Sequence, residues 1–116
     1  MNEIPKITFE QDKLIYSINT NEKTASIYRS YAEGEVLIPR SIIYQSNEYV
    51  IVSILKDAFQ LSAVTNISFS SDSELQTIDE YSFCWSKIES ITIPSHLTQI
   101  CEGCFCFVQN LKQLLF

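Results

Sequence analysis

Hydrophobic and polar positions change rhythm partway along this chain. Through the first thirty-odd residues, KITFE, KLIYSI and ASIYRSY alternate apolar and polar side chains with a period of two, broken by the polar stretches QD and NTNEK. That alternation predicts three short strands, each with one buried face, folded as an antiparallel hairpin or meander. Further on a longer pattern takes over. The segments ILKDAFQLSAVTNISF, IDEYSFCWSKIESITI and ICEGCFCFVQNLKQLLF begin at Ile54, Ile78 and Ile100, spaced 24 and then 22 residues apart. A period of that length describes one strand and one turn per repeat, stacked as the coils of a solenoid.

The repeat is defined by columns. Ile54, Ile78 and Ile100 align, as do Ala58, Ser82 and Cys104; Phe59, Phe83 and Phe105; Val64, Ile88 and Leu111; Ile67, Ile91 and Leu114; Phe69, Ile93 and Phe116. Coils stacked at the ~4.8 Å spacing of neighbouring strands turn each column into a continuous apolar ladder. The small column is needed where the chain turns tightly beside the phenylalanine. Segments 67–69, 91–93 and 114–116 are expected to be short parallel strands. The stretches around Asp57 to Gln60, Glu80 to Cys84 and Glu102 to Cys106 are expected to be helical turns on the opposite side.

Val36, Ile38 and Pro39 match Ile91, Ile93 and Pro94, so a partial repeat precedes the first complete one. Residues 36–116 are therefore read as the solenoid. Residues 1–35 are read as a β cap that buries the apolar end of the stack, one structural domain with the rest. Between Pro39 and Ile54 lie more residues than between Pro94 and Ile100, and the surplus, YQSNEYVIV, carries a turn-forming Ser-Asn pair. It is expected to be a small hairpin insertion.

If Ile67 and Phe69 point inward, their neighbours form an outer, concave face. Its columns are Thr65, Glu89 and Lys112; Asn66, Ser90 and Gln113; Ser68, Thr92 and Leu115. This face is small, polar and nearly uncharged, suited to a protein or glycan ligand held by hydrogen bonds from a rigid sheet. At the other end NLKQLLF stops inside an expected strand, with Leu114 and Phe116 in core columns. Such an uncapped edge is expected either to continue into further repeats or to pair with another chain, giving self-association.

Charge narrows the partner classes. A net charge of -6 opposes phosphate backbones and anionic bilayers, so nucleic acid is not expected as a partner. No run approaches the ~20 apolar residues of a membrane-spanning helix, and the start MNEIPKITFEQDK lacks a basic region followed by an apolar core. Neither membrane insertion nor a signal peptide is expected from this chain.

The run NEYVIVSILKDAF, followed by ELQTIDEYSF, IESITIPSHLTQICEGCF and NLKQLLF, resembles the BspA-like leucine-rich repeats over about residues 36–116. The resemblance implies an α/β solenoid with strands on the concave face. It also implies a non-enzymatic protein-interaction module, in a family with many cell-surface adhesion and antigen proteins. An intracellular scaffold or ligand-recognition protein using the same face is the alternative. The chain departs from the family pattern where a glycine often follows the first isoleucine: Leu55, Asp79 and Cys101 stand there instead. These changes loosen the turns without breaking the ladders.

Chemistry is sparse. Cys101 and Cys104 form a C-x-x-C pair, but structural zinc needs four ligands and only Cys84 and His96 remain as candidates. Repeat register explains Cys104 more simply, as a small buried hydrophobe in the column of Ala58 and Ser82. No metal and no cofactor are expected. His96 is the only histidine, and no spacing pairs it with a thiol and an orienting third group, so no catalysis is expected either. The glycosylation triplet Asn66-Ile67-Ser68 falls on an expected strand, where it makes a poor acceptor. Cys84 and Cys106 each follow the phenylalanine of their repeat, and adjacent coils would bring their Cα atoms to about 5 Å, within disulfide range. The pair can therefore form an inter-repeat disulfide, given an oxidising compartment.

Overall fold

The structure, a computed structural model, describes residues 5–101, 103–106, 108, 111 and 113–115, the last three by their backbone path. Its strands in chain order are β1 (Thr8–Gln11), β2 (Leu14–Asn19), β3 (Thr24–Ser30), β4 (Glu33–Ile38), β5 (Ser41–Tyr44), β6 (Asn47–Ile54), β7 (Ala63–Phe69), β8 (Thr77–Ile78), β9 (Ser90–Thr92), β10 (Gln99–Ile100) and β11 (Gln113–Leu115). They form two sheets. One runs β11-β9-β7-β4 and is parallel throughout; the other runs β1-β2-β3-β6-β8-β10, with β5 paired to β6.

The parallel sheet is the stack of repeat strands. Val36 pairs with Ile67 and Ile38 with Phe69, then Ile67 with Ile91 and Ile91 with Leu114, the columns expected from the repeat. The first three strands alternate as their sequence requires. In β2, Leu14, Tyr16 and Ile18 face the core, and Ala25 and Ile27 do so from β3. β1, β2 and β3 are antiparallel neighbours, yet β3 then pairs in parallel with β6, so these strands continue the second sheet of the solenoid. The β1–β2 and β5–β6 connections turn through Asp12-Lys13 and Gln45-Ser46, two residues each with positive φ, as a tight hairpin requires. The insertion is thus a hairpin, turning one residue earlier than the Ser-Asn pair. Its second strand also supplies Ser53 and Ile54 to the pairing with β8.

Tyr16 is almost completely buried. Burial, reinforced by the Asp12 carboxylate, pushes its phenol from 10.0 up to about 12. The folded state holds this proton more tightly than the unfolded state, so the contribution is complete below about pH 10 and is lost as pH rises towards 12. At pH 11.5 the wild type is expected to lose roughly 2 kcal/mol more stability, relative to pH 9, than Tyr16→Phe loses. Urea denaturation of both proteins at the two pH values measures this, and equal losses would show that Tyr16 is not held in the core.

The expected helical turns are not formed, and among the described residues there is no helix. Each coil instead turns through consecutive β-turns. The N–H of Ala58 donates to Leu55 O, that of Gln60 to Asp57 O and that of Ser62 to Phe59 O. Between these, the N–H of Phe59 donates to Ser82 O at 2.7 Å and that of Leu61 to Cys84 O at 3.1 Å, both on the next coil. The pattern repeats one coil on, where Phe83 and Trp85 donate to Cys104 O and Cys106 O. A helix would spend every N–H within its own turn; here alternate donors lock coil to coil, which is why the extended turn prevails. The geometry demands positive φ at Asp57, Leu61, Tyr81, Trp85 and Gly103. Only Gly103 adopts it freely, and a Cβ there would stand 3.0 Å from the Tyr81 ring.

Beside these turns the small column, Ala58, Ser82 and Cys104, is fully buried. The phenylalanine column forms a stack: ring centroids of Phe59 and Phe83 lie 5.0 Å apart and those of Phe83 and Phe105 5.2 Å apart, tilted by only 13° and 5°. Ser62 and Ser86 close the turns by accepting the N–H groups of Val64 and Ile88 on their hydroxyls. Phe9, Tyr44 and Tyr49 form a second aromatic cluster that ties the hairpin insertion back to β1.

Candidate functional site

Strand alternation places the face of the parallel sheet. Val64, Ile67, Ile91 and Ile93 are buried, and Ser68 and Thr92 are exposed on the opposite side, with Asn66, Glu89 and Ser90 partly exposed. Gly34 pairs with Val64 and Glu35 with Asn66, so Thr65 is an extra residue in β7, a bulge that lets both Val64 and Ile67 point inward. Its carbonyl is not wasted: Thr65 O accepts the N–H of Glu89 on the next coil at 2.6 Å.

Two of the expected columns are thereby brought together. Asn66 stands over Ser90 and donates from Nδ2 to Ser90 Oγ at 2.6 Å, fixing both side chains. Gln113 follows Ser90 in backbone register and Leu115 follows Thr92. Lys112 lies outside the described residues, as do the side chains of Gln113, Leu115, Leu114 and Phe116, and with the last two the expectation of self-association at that edge. The sequence reading missed the other end of the same face. Glu35 pairs with Asn66 and Leu37 with Ser68, so β4 adds an acidic and an apolar position to the two columns. Their inward neighbours Val36 and Ile38 were recognised; counting one residue to either side would have found them.

Cys84 and Cys106 occupy equivalent points on neighbouring coils with Cα atoms 4.7 Å apart, within the span of a disulfide. When Cys84 is a free thiol, its hydrogen can point at Gly103 O, 3.3 Å from the sulfur. Cys101 and Cys104 remain thiols. Cys104 donates to Asp79 O at 3.2 Å, and burial pushes its thiol up, away from the reactive thiolate. His96 sits exposed after Pro94, and among the described residues no group of His, Cys, Asp or Glu is arranged to hold a metal ion.

A second concavity of about 540 Å³ opens on the outer side of the first sheet, lined among others by Lys6, Asn19, Tyr28, Lys56 and Asp79. Burial, and then the neighbouring Glu80, raises the Asp79 carboxyl above its usual range. Asn19 Oδ1 is already occupied by the N–H groups of Asn21 and Glu22, so this groove offers less free hydrogen-bonding capacity than its composition suggests.

Comparison with known proteins supports the geometry. A leucine-rich repeat protein from Bacteroides capillosus superposes with a TM-score of 0.63 at 18% identity, over 93% of this chain and 96% of that one. The pneumococcal vaccine antigen PcpA gives 0.60 at 18% identity, over 97% of this chain and 38% of its own. A leucine-rich cell surface protein from Faecalibacterium prausnitzii gives 0.57 at 12% identity, over 97% and 43%. This chain thus spans less than half of the last two. None of the curated protein sequences matches it. Such identities establish the repeat fold and nothing finer. Residues 40–116 match the BspA-type leucine-rich repeat region model, and with its columns, parallel strands and coil-to-coil turns the chain belongs to the BspA-type leucine-rich repeat family.

Proposed function

We propose that this chain is a non-enzymatic interaction module that holds a protein or glycan ligand on the open face of its parallel sheet, at the cell surface. The observation that carries the reading is the Asn66–Ser90 hydrogen bond, flanked by Glu35 and by the exposed Leu37, Ser68 and Thr92. It is a polar array held at strand spacing by a buried ladder, so a ligand meets groups that lose little freedom on binding. The placement of Cys84 beside Cys106 supports an oxidising, external location, since a bridge persists there and is reduced in the cytosol. Two structural neighbours, a cell surface protein and a vaccine antigen, point the same way.

Labelling intact, unpermeabilised cells with an antibody against this chain, beside permeabilised ones, tests the location. Signal on intact cells is expected. Signal only after permeabilisation would replace this reading with that of an intracellular scaffold.

A further inference from the structure

The two sheets end differently beside the first coil. Beyond β3 the first sheet is extended by β2 and β1, whereas among the described residues the parallel sheet stops at β4, which pairs with β7 alone. The N–H of Ser70 donates to Ile38 O, so Ile38 and, by alternation, Val36 turn their backbone groups towards β7. Those of Glu35 and Leu37 turn the other way, and among the described residues they meet no partner. Leu37 is 64% exposed, and the nearby Tyr31 67%. Between this edge and the β1–β2 turn runs a groove of about 290 Å³, lined by Asp12, Lys13, Glu33, Glu35 and Leu37. Tyr31 N–H donates to Lys13 O at 2.8 Å and anchors the turn beside it.

We infer that the free edge of β4 is a docking site for an extended segment of another protein, basic on one face and apolar on the other, which adds to the parallel sheet as a further strand. Backbone hydrogen bonds to Glu35 and Leu37 supply the pairing, and side-chain alternation supplies the choice of partner. A lysine opposite Glu35 meets opposite charge while its aliphatic stem covers Leu37. The intervening apolar residues meet Val36 and Ile38 at the rim of the core.

A second copy of this chain does not fit. Parallel pairing of two β4 edges requires one copy to be turned over about its strand axis, which lays Glu33 and Glu35 of one molecule beside the inward Gly34 and Val36 of the other, charge against the apolar side of the sheet. Antiparallel pairing centred on Glu35 sets Glu35 on Glu35, and centred on Val36 it leaves each Glu35 opposite Leu37 with no cation, between molecules that each carry a net charge of -6. The charges that block self-pairing are the ones that select a basic strand. This inference concerns the edge of the sheet and does not depend on the ligand proposed for its face.

The test uses the full chain, isotopically labelled, and three capped hexapeptides: alternating lysine and valine, alternating glutamate and valine, and the lysine peptide N-methylated at alternate residues. The lysine peptide is expected to shift the amide resonances of residues 33–38. It should bind about tenfold or more tightly than either of the others, which corresponds to ~1.4 kcal/mol. Glu35→Lys should reverse the preference between the lysine and glutamate peptides. The inference is overturned if the lysine peptide does not bind, if N-methylation makes no difference, or if the shifts map elsewhere. A dimer in sedimentation that Leu37→Lys dissolves would equally overturn it, because the occupant would then be a second copy.

Discussion

Phe83→Ala is expected to destabilise the chain by about 3–5 kcal/mol, the range for deleting a fully buried aromatic ring. Phe83 is the middle member of the stacked column and has no solvent exposure. Its removal leaves Phe59 and Phe105 facing a gap that neither can close, because both are held by their own coils. The backbone on either side cannot collapse inward: Phe59 N–H is bonded to Ser82 O and Phe83 N–H to Cys104 O. Near-parallel rings are not the preferred arrangement for an isolated aromatic pair, so coil register imposes the stack and area burial supplies its energy. Phe83→Leu, which keeps most of the volume, should cost markedly less. Chemical denaturation of the three proteins measures both effects. A loss below about 1 kcal/mol for the alanine variant would show that the column is not a packed ladder.

Reduction is the second large effect. A Cys84–Cys106 bridge would close a loop across a sequence separation of 22 residues. Restricting the unfolded chain over a loop of this size stabilises the folded state by roughly 3 kcal/mol. Oxidised protein is therefore expected to lose about that much stability on reduction, whereas a Cys84→Ala, Cys106→Ala double variant should not respond to reductant. The reduced fold should persist, since Cys84 is buried and its thiol has Gly103 O as an acceptor. An oxidised preparation whose stability is indifferent to reductant would mean that the two sulfurs are not bonded.

How much of this was legible in the sequence depended on what each residue had to do. Ile67, Ile91 and the three phenylalanines were visible because a column in a solenoid must repeat its shape at every coil. The turns were misread because helical turns and consecutive β-turns place the same small and aromatic residues inward. They differ in where alternate N–H groups go, and that is decided by the neighbouring coil. Positive φ at Leu61, Tyr81 and Trp85 carries no sequence signal; Gly103 alone marks it. The second sheet was hidden for a related reason, since β8 and β10 are two residues long and too short to alternate. As outward positions, Asn66, Ser68, Ser90 and Thr92 were legible from strand alternation, whereas Glu35 and Leu37 were not. The partial repeat aligns with the later ones through its inward residues Val36 and Ile38, which carry no signal for Glu35 and Leu37.

The claim that the open sheet face is where a ligand binds is tested most directly by photocrosslinking in the cells that make the protein. A benzophenone side chain is introduced at Ser68 on the face and, separately, at Gln60 on the exposed turn side. Irradiation is predicted to give a discrete crosslinked product from position 68 and none from position 60. A product from position 60 with none from position 68 would contradict the account and move the binding surface to the turns.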